Sequence, residues 1–586
     1  MHTSTRVHIQ SLILAVCLLI LALGFFVYGA TGHDDAHINF WAAWTLLQHG
    51  EILNYNGERI EQTTSLLLDL FTVFYHLVFD LDIITAGFMV DVTASIACCW
   101  LLIKLARTTC PSMTAWPVLL LLSCSSFLLW TYGGMGATLA AFTVLSGMTI
   151  WWLWIESPLI KIYLLILLLF VTIALTLVRP EMPLITIAVA FCIGFFHRSD
   201  KARFKRCLQL LLMCMLAAIT LFSWQKWYFD SWLPLPVTAK QSGAFLMRIK
   251  AGSYYLLFNG LLNPIGILAL LSIPLLWWQQ RKHDDTGKIV RSNLLALLAT
   301  FTMVYVGFIW TAGGDWMQAG RFLVPILPAA TLLLAAAASS LPWRWLMHIL
   351  LGALCIFQLS MQYISVAQLS HGIPVWAQYR IAKQHKNYSV FEQLNQEHLR
   401  DMASIDHLAE IIPPLHEKLG RPIELISGQA GMVFYYTAQR FGNNVHFRDL
   451  RGLVEGSLTN CPAINTVKRG QQGLFWGYSE FFALLPTLQQ ECGITAPDII
   501  YDINDMSQKM GRTLEPLGYT MIHQESGFPV ENNTSLPYNQ LLAPNMIFVR
   551  NDLLPLIGNP PKRVINYREL PLQTRWPMQR STFKIP

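Results

Sequence analysis

The chain has 586 residues, of which 54% are hydrophobic and only 13% charged, with a mean hydropathy of +0.43. Soluble proteins carry roughly a quarter charged residues, so this composition excludes a wholly soluble enzyme. The net charge of +6 is spread without a basic stripe interleaved with aromatics, which excludes nucleic acid as a partner.

From the N-terminus, an apolar run covers residues 8–30, long enough for one helix across a bilayer. It exceeds a signal core, and no small-residue cleavage site precedes the acids that follow. A retained first membrane helix is therefore predicted. The loop 31–82 carries Asp34, Asp35, Glu51, Glu58, Glu61, Asp69, Asp80 and Asp82, with Arg59 as its one Lys or Arg. Its apolar middle, 65–79, is too short to span comfortably and reads as an interfacial or re-entrant helix. Further apolar runs lie near 83–105, 115–131, 136–155, 161–178, 182–196, 207–225, 254–279, 292–310, 322–340 and 345–366. The expectation is a polytopic α-helical bundle of about eleven spans over 1–369.

From about residue 370 the composition becomes ordinary, and 370–586 is expected to be a soluble α/β domain. Residues 370–420 read as helical, broken at Pro413-Pro414, and 424–436, 497–503 and 545–550 read as buried strands. Of the eleven cysteines, nine lie in or beside apolar runs, where a small buried hydrophobe is the ordinary role. Cys461 and Cys492 fall in the soluble part and are candidates for a disulfide in an oxidising compartment.

Lys and Arg in short loops set orientation. Five lie in 197–206 and four in 281–291, both on the side of the N-terminus by count of spans, so that side is cytoplasmic. Segment 226–253, on the other side, also holds four, so the rule is followed imperfectly. The first loop and the C-terminal domain then face outward. On the same outer side fall all the polar or glycine-rich interruptions: 34–37 (DDAH), 130–136 (WTYGGMG), 178–181 (VRPE), 232–240 (WLPLPVTAK) and 313–321 (GGDWMQAGR). Loops with independent roles would be shared between the two sides, so this convergence predicts one site.

Chemistry can be assigned to these stretches. Asp34 and Asp35 are adjacent carboxylates at a membrane edge, where mutual repulsion favours a general base; the alternative is a cap on the following helix. Arg321 and Lys240 are candidate phosphate ligands, or else interfacial anchors. Arg179 and Glu181 form either a local ion pair or part of the site, Arg179 as a third candidate phosphate ligand and Glu181 as a candidate substrate contact. His37, Asp315 and Trp316 complete the polar set as candidate substrate contacts. Trp41, Trp232, Trp310 and Trp316 fit an interfacial aromatic belt better than sugar stacking. There is no zinc spacing, P-loop, dinucleotide fingerprint or nucleophile elbow. No cofactor is fixed; the other six loop carboxylates leave a divalent cation, Mg²⁺ or Ca²⁺, as an open alternative.

These stretches together resemble bacterial GT-C membrane glycosyltransferases. DDAHINFWAAWTLLQHGEILNYNGERIEQTTS is similar to the first-loop signature of the DDAYI type, including Gly57–Glu61 and Thr64-Ser65. VRPE is similar to the Arg-Pro-Asp/Glu turn, WLPLPVTAK to the proline loop ending in Lys, and GGDWMQAGRFLVPILP to the Gly-Gly-Asp-aromatic-Met segment. Actinobacterial terminal arabinofuranosyltransferases carry such a pattern. The chain departs from it at Gly134-Met135-Gly136, where relatives commonly read Gly-Leu-Glu, and at Leu235, where they have Asn.

The resemblance implies a hexosyl- or pentosyltransferase of the cell envelope. Its donor would be a polyprenyl-phosphate sugar and its acceptor a hydroxyl of a glycan or glycolipid, on the periplasmic or extracellular side of a bacterial inner membrane. It also implies an Asp base at Asp34 or Asp35. The competing readings are a lipid-linked glycan ligase or polymerase, with a diphosphate-linked donor, and a lipid-linked sugar transporter or flippase. A transporter would carry charges deep within spans and inverted repeats, and the sequence has neither.

Overall fold

The computed structural model describes residues 34–157, 161–240, 245–280, 286–315, 317–361, 390–466, 478–503, 514–526, 545–558 and 563–566, with 19 and 475. The predicted first helix and Trp316 lie outside the described residues, as does the predicted helix over 370–389. The helices are α1 (Ala36–His49), α2 (Leu66–Phe79), α3 (Ile83–Thr109), α4 (Trp116–Ser123), α5 (Ser125–Thr131), α6 (Ala137–Glu156), α7 (Ile162–Val178) and α8 (Met182–Phe196). They continue as α9 (Lys201–Phe229), α10 (Leu235–Lys240), α11 (Phe245–Leu262), α12 (Ile265–Gln280), α13 (Thr286–Ala312), α14 (Leu327–Ser339) and α15 (Arg344–Met361).

Among the described residues, five stretches are long and apolar enough to cross a bilayer: α3, α6, α9, Ser292–Ala312 and Gly320–Ser339. The run 254–279 is instead a pair, α11 and α12, bent by 93°. Helices α7 and α8, with 17 and 15 residues, reach about 26 and 23 Å, less than the hydrocarbon thickness of ~30 Å.

The run 115–131 is broken at Cys124, whose backbone is extended. Side-chain chemistry accounts for the break. Asn263, in the turn between α11 and α12, accepts from Cys124 Sγ and Ser125 Oγ at 3.2 Å and donates to Ser126 Oγ at 2.7 Å. The two interruptions thus satisfy each other away from lipid.

The C-terminal part holds α16 (Val390–Leu419), α17 (Met432–Phe441) and strands β1 (Ile423–Ser427), β2 (Val445–Asp449), β3 (Ile499–Ile503), β4 (Tyr519–Ser526), β5 (Asn545–Arg550) and β6 (Arg563–Asn566). They form one mixed sheet in the order β2-β1-β3-β5-β4-β6, with β2, β1 and β3 parallel. The apolar runs of β1 and β3 suit strands buried on both faces.

Two expectations are corrected. Residues 432–436 begin α17 instead of extending β1, because the turn at 428–431 ends the strand. Helix α16 runs through Pro413 and Pro414 without a break. Ile405, Leu408, Ile411, Ile412 and Leu415 are buried along it, and that packing offsets the lost backbone hydrogen bonds. A disulfide joins Cys461 and Cys492, with Cα atoms 5.9 Å apart.

The first loop grips this sheet. The Asn56 side chain donates to Phe447 O and accepts from Phe447 N, both at 2.8 Å, so one amide caps edge strand β2. Asn54 Nδ2 donates to Val454 O at 3.2 Å.

Candidate active site

Asp34 and Asp35 stand at the start of α1, their carbonyls accepting from His37 N and Ile38 N. Every residue from Ala36 to Ala43 is buried, so the acids project from a rigid helix rather than a loop. Asp34 Oδ1 accepts the N–H of Met432, the first residue of α17, at 2.6 Å.

The cations come from three separate stretches. Prolines 234 and 236 shape the short helix α10, and Leu235 N–H donates to Glu61 O at 2.9 Å, which ties α10 to the first loop. Lys240, the last residue of α10, is partly buried, and burial lowers its pKa. Asp35 opposes this most strongly, followed by Asp315; Asp449 acts in the same sense and Arg321 against it. Arg321 Nε donates to Asp315 Oδ2 at 2.9 Å, with both side chains buried. The turn before Asp315 needs glycine: Gly314 has φ +78°, and a Cβ there would lie 2.4 Å from the Tyr255 ring. Arg179 pairs with Glu181 through Nε and Oε1, and Tyr305 donates its hydroxyl to the same Oε1 at 3.0 Å.

Phe322 joins the two arginines. The Arg179 guanidinium lies 4.7 Å and that of Arg321 5.5 Å from the Phe322 ring centre. Arg321 also faces Trp130 at 5.8 Å, and Tyr255 Oη accepts Phe322 N–H at 3.1 Å. Stacking of this kind holds a guanidinium plane in place without consuming its donors.

Asp35, Lys240, Arg321, Asp315, Arg179 and Glu181 are therefore in one electrostatic cluster. His37, two residues after Asp35, has its ring edge-on to Phe40 and Tyr435 at 5.4 and 5.5 Å. Trp41 is buried, stacked on Trp44 and tilted against Tyr55, whereas Trp232 and Trp310 are exposed.

Several residues were not singled out in sequence. Phe322, Tyr255 and Tyr305 sit in apolar stretches where an aromatic is unremarked; only the neighbouring Arg321 marks Phe322 as a stacking partner. Asp449, at the end of β2, accepts from the N–H groups of Arg451, Leu453 and Val454. Burial pushes its pKa up to about 6. Asp91 of α3 accepts from Gly136 N at 2.9 Å, Leu139 N at 3.1 Å and Thr138 Oγ1 at 2.8 Å. A carboxylate thus stands at the start of α6, where Gly134-Met135-Gly136 lacks the acid of the related pattern. Among the described residues, no three His, Cys, Asp or Glu side chains gather to hold a metal ion.

No protein-family model matches the chain, and no curated protein matches it in sequence. Solved structures do match in fold. ArnT from Cupriavidus metallidurans bound to undecaprenyl phosphate matches with a TM-score of 0.50 at 12% identity, over 92% of this chain and 97% of that one. Its apo state gives 0.51 at 12% identity, over 94% and 99%. The fold is that of the GT-C glycosyltransferases. The oligosaccharyltransferase AglB from Archaeoglobus fulgidus, in complex with an inhibitory peptide and a dolichol-phosphate, matches with 0.50 at 11% identity, over 85% of this chain and 70% of that one. In this GT-C fold the chain carries several apolar membrane helices and a sheet-containing C-terminal region.

Proposed function

We propose that this chain is a membrane glycosyltransferase that moves a sugar from a polyprenyl-phosphate donor to an acceptor hydroxyl, with inversion at the anomeric carbon. The observation that carries the reading is the grouping of Asp35 with Lys240, beside the Arg321–Asp315 and Arg179–Glu181 pairs. A base and phosphate-binding cations are what the reaction requires. The two structural neighbours solved with undecaprenyl phosphate and dolichol-phosphate lend it support.

In the step itself, the Asp34–Asp35 pair takes the proton of the acceptor hydroxyl. The acceptor oxygen bonds to the anomeric carbon as the bond from that carbon to the phosphate oxygen breaks. The electron pair leaves with the polyprenyl phosphate, whose added charge is met by Lys240, Arg321 and Arg179. Glu181 and Asp315 hold the guanidiniums in place. His37 and Trp316 are assigned to substrate contact. The sheet-containing C-terminal part acts as a soluble cap over the acceptor, outside a bacterial inner membrane. A pentosyl donor of the arabinofuranosyl kind fits the pattern of motifs.

The test is sugar release from radiolabelled polyprenyl-phosphate pentoses and hexoses by purified protein, with Asp34→Asn and Asp35→Asn in parallel. We expect turnover of one donor class and a loss of roughly 10²–10⁴-fold in one Asn variant. Unchanged turnover in both variants would remove the Asp-base mechanism. Transport of the lipid-linked sugar without its cleavage would replace a transferase with a transporter.

A further inference from the structure

The contact between Asp34 and the C-terminal part is more than packing. Met432 N–H donates to Asp34 Oδ1 at 2.6 Å, across about four hundred residues of chain. Approach this close needs glycine at the preceding position: a Cβ on Gly431 would lie 1.9 Å from Asp34 O and 2.7 Å from Asp34 Oδ1. Tyr55 of the first loop donates its hydroxyl to Gly431 O at 3.3 Å. One turn further along α17, Tyr435 and Tyr436 pack on the His37 ring with centroids 5.5 and 5.7 Å away. Gly431 and Met432 thus meet Asp34 itself, while Tyr55 holds Gly431 and the two tyrosines hold His37.

The chemistry is directional. Met432 is the first residue of α17, so its N–H has no partner within the helix. The start of a helix favours negative charge. A carboxylate that accepts a backbone N–H is oriented by it and stabilised in its charged form. A Lys or Arg in the same place would satisfy Asp34 too, but would compete with Lys240 for the donor phosphate. A backbone donor adds no mobile charge.

We propose that Gly431 and Met432 are positioning residues of the active site, and that the sheet-containing C-terminal part thereby completes the base rather than only covering the acceptor. This rests on the glycosyltransferase reading above. The charged and titratable groups around Asp34 are Asp35 beside it, Lys240 facing Asp35, His37 with Tyr435 and Tyr436 packed on its ring, and Tyr55, which feels Asp34, Tyr435, Asp35 and Asp449.

The experiment compares Met432→Pro with Met432→Ala. Proline removes the N–H and sets its ring against Asp34 Oδ1, whereas alanine keeps the N–H. For Met432→Pro we expect kcat to fall roughly ten- to hundredfold with donor KM unchanged. The acidic limb of the pH–rate profile should move up by about one unit. Met432→Ala removes a buried side chain but keeps the N–H, so it should leave the acidic limb where wild type has it, and Gly431→Ala should resemble Met432→Pro. A Met432→Pro enzyme with wild-type kcat and an unmoved limb would overturn the proposal, while leaving the glycosyltransferase reading intact.

The contact is also read without turnover, from thermal unfolding of Asp34→Ala, Met432→Pro and the double variant. Non-additive losses are expected; additive losses would overturn the proposal. A wild-type protein that cleaves none of the donors would sink the function instead, and the cycle would still report the contact.

Discussion

Glu61 shows how burial sets the behaviour of a single residue. Its side chain is 4% exposed and accepts from Gln225 Nε2 at 2.8 Å. Burial, with a smaller effect from the Asp69 carboxylate, pushes its pKa from 4.5 to about 8. The folded protein therefore binds this proton more tightly than the unfolded chain does. Its contribution to stability is full below pH 4.5 and is lost as the pH rises to about 8. Glu61→Gln should flatten this dependence and make the protein more resistant to thermal unfolding at pH 8 than wild type. The check is the unfolding midpoint in detergent between pH 5 and 8; parallel curves would contradict it. At this scale the sequence is legible where a polar residue interrupts an apolar run, as Asp34, Arg179, Asp315 and Arg321 do. It is not legible where the residue is itself apolar or aromatic: Phe322 and Tyr305 read as bundle packing.

Among the elements, α6 depends on an acid that is 45 residues away in sequence from its cap, Gly136. Asp91→Ala would leave Gly136 N, Leu139 N and the Thr138 hydroxyl without their shared acceptor. Each buried donor left so costs about 1–3 kcal/mol, so a loss of at least ~3 kcal/mol is expected. Asp91→Asn keeps one acceptor oxygen and should lose less. Thermal unfolding of the two variants checks the order; equal losses would show that the carboxylate is not what holds the turn.

Hydrophobic run length identified most helices here, because a helix is the local way to satisfy a backbone in lipid. It missed the break at Cys124, since Asn263 comes from another part of the chain. It also overextended β1 into α17, where β-prone Val433, Phe434, Tyr435 and Tyr436 form a helix because their packing partners are His37, Trp41, Tyr55 and Phe447.

Over the whole molecule, Asp35, Asp315, Arg321 and Asp449 at the end of β2 act on Lys240, and Arg321 in turn faces Trp130 and shares the Phe322 ring with Arg179. What joins the two parts is the first loop, which caps β2 with Asn56, ties α10 through Glu61 and meets α17 at Asp34. In the proposed site labour is divided: the cations bind the lipid phosphate, and the acids act on the acceptor.

Binding of radiolabelled undecaprenyl phosphate to purified protein tests it most directly, with Lys240→Gln and the double variant Asp34→Asn/Asp35→Asn beside wild type. The acid variant should bind the lipid phosphate at least as well as wild type while turning over no donor. Lys240→Gln should bind it roughly tenfold or more weakly, the scale of a charge-assisted hydrogen bond. Wild-type binding by Lys240→Gln, or lost binding in the acid variant, would contradict the assignment of the two roles.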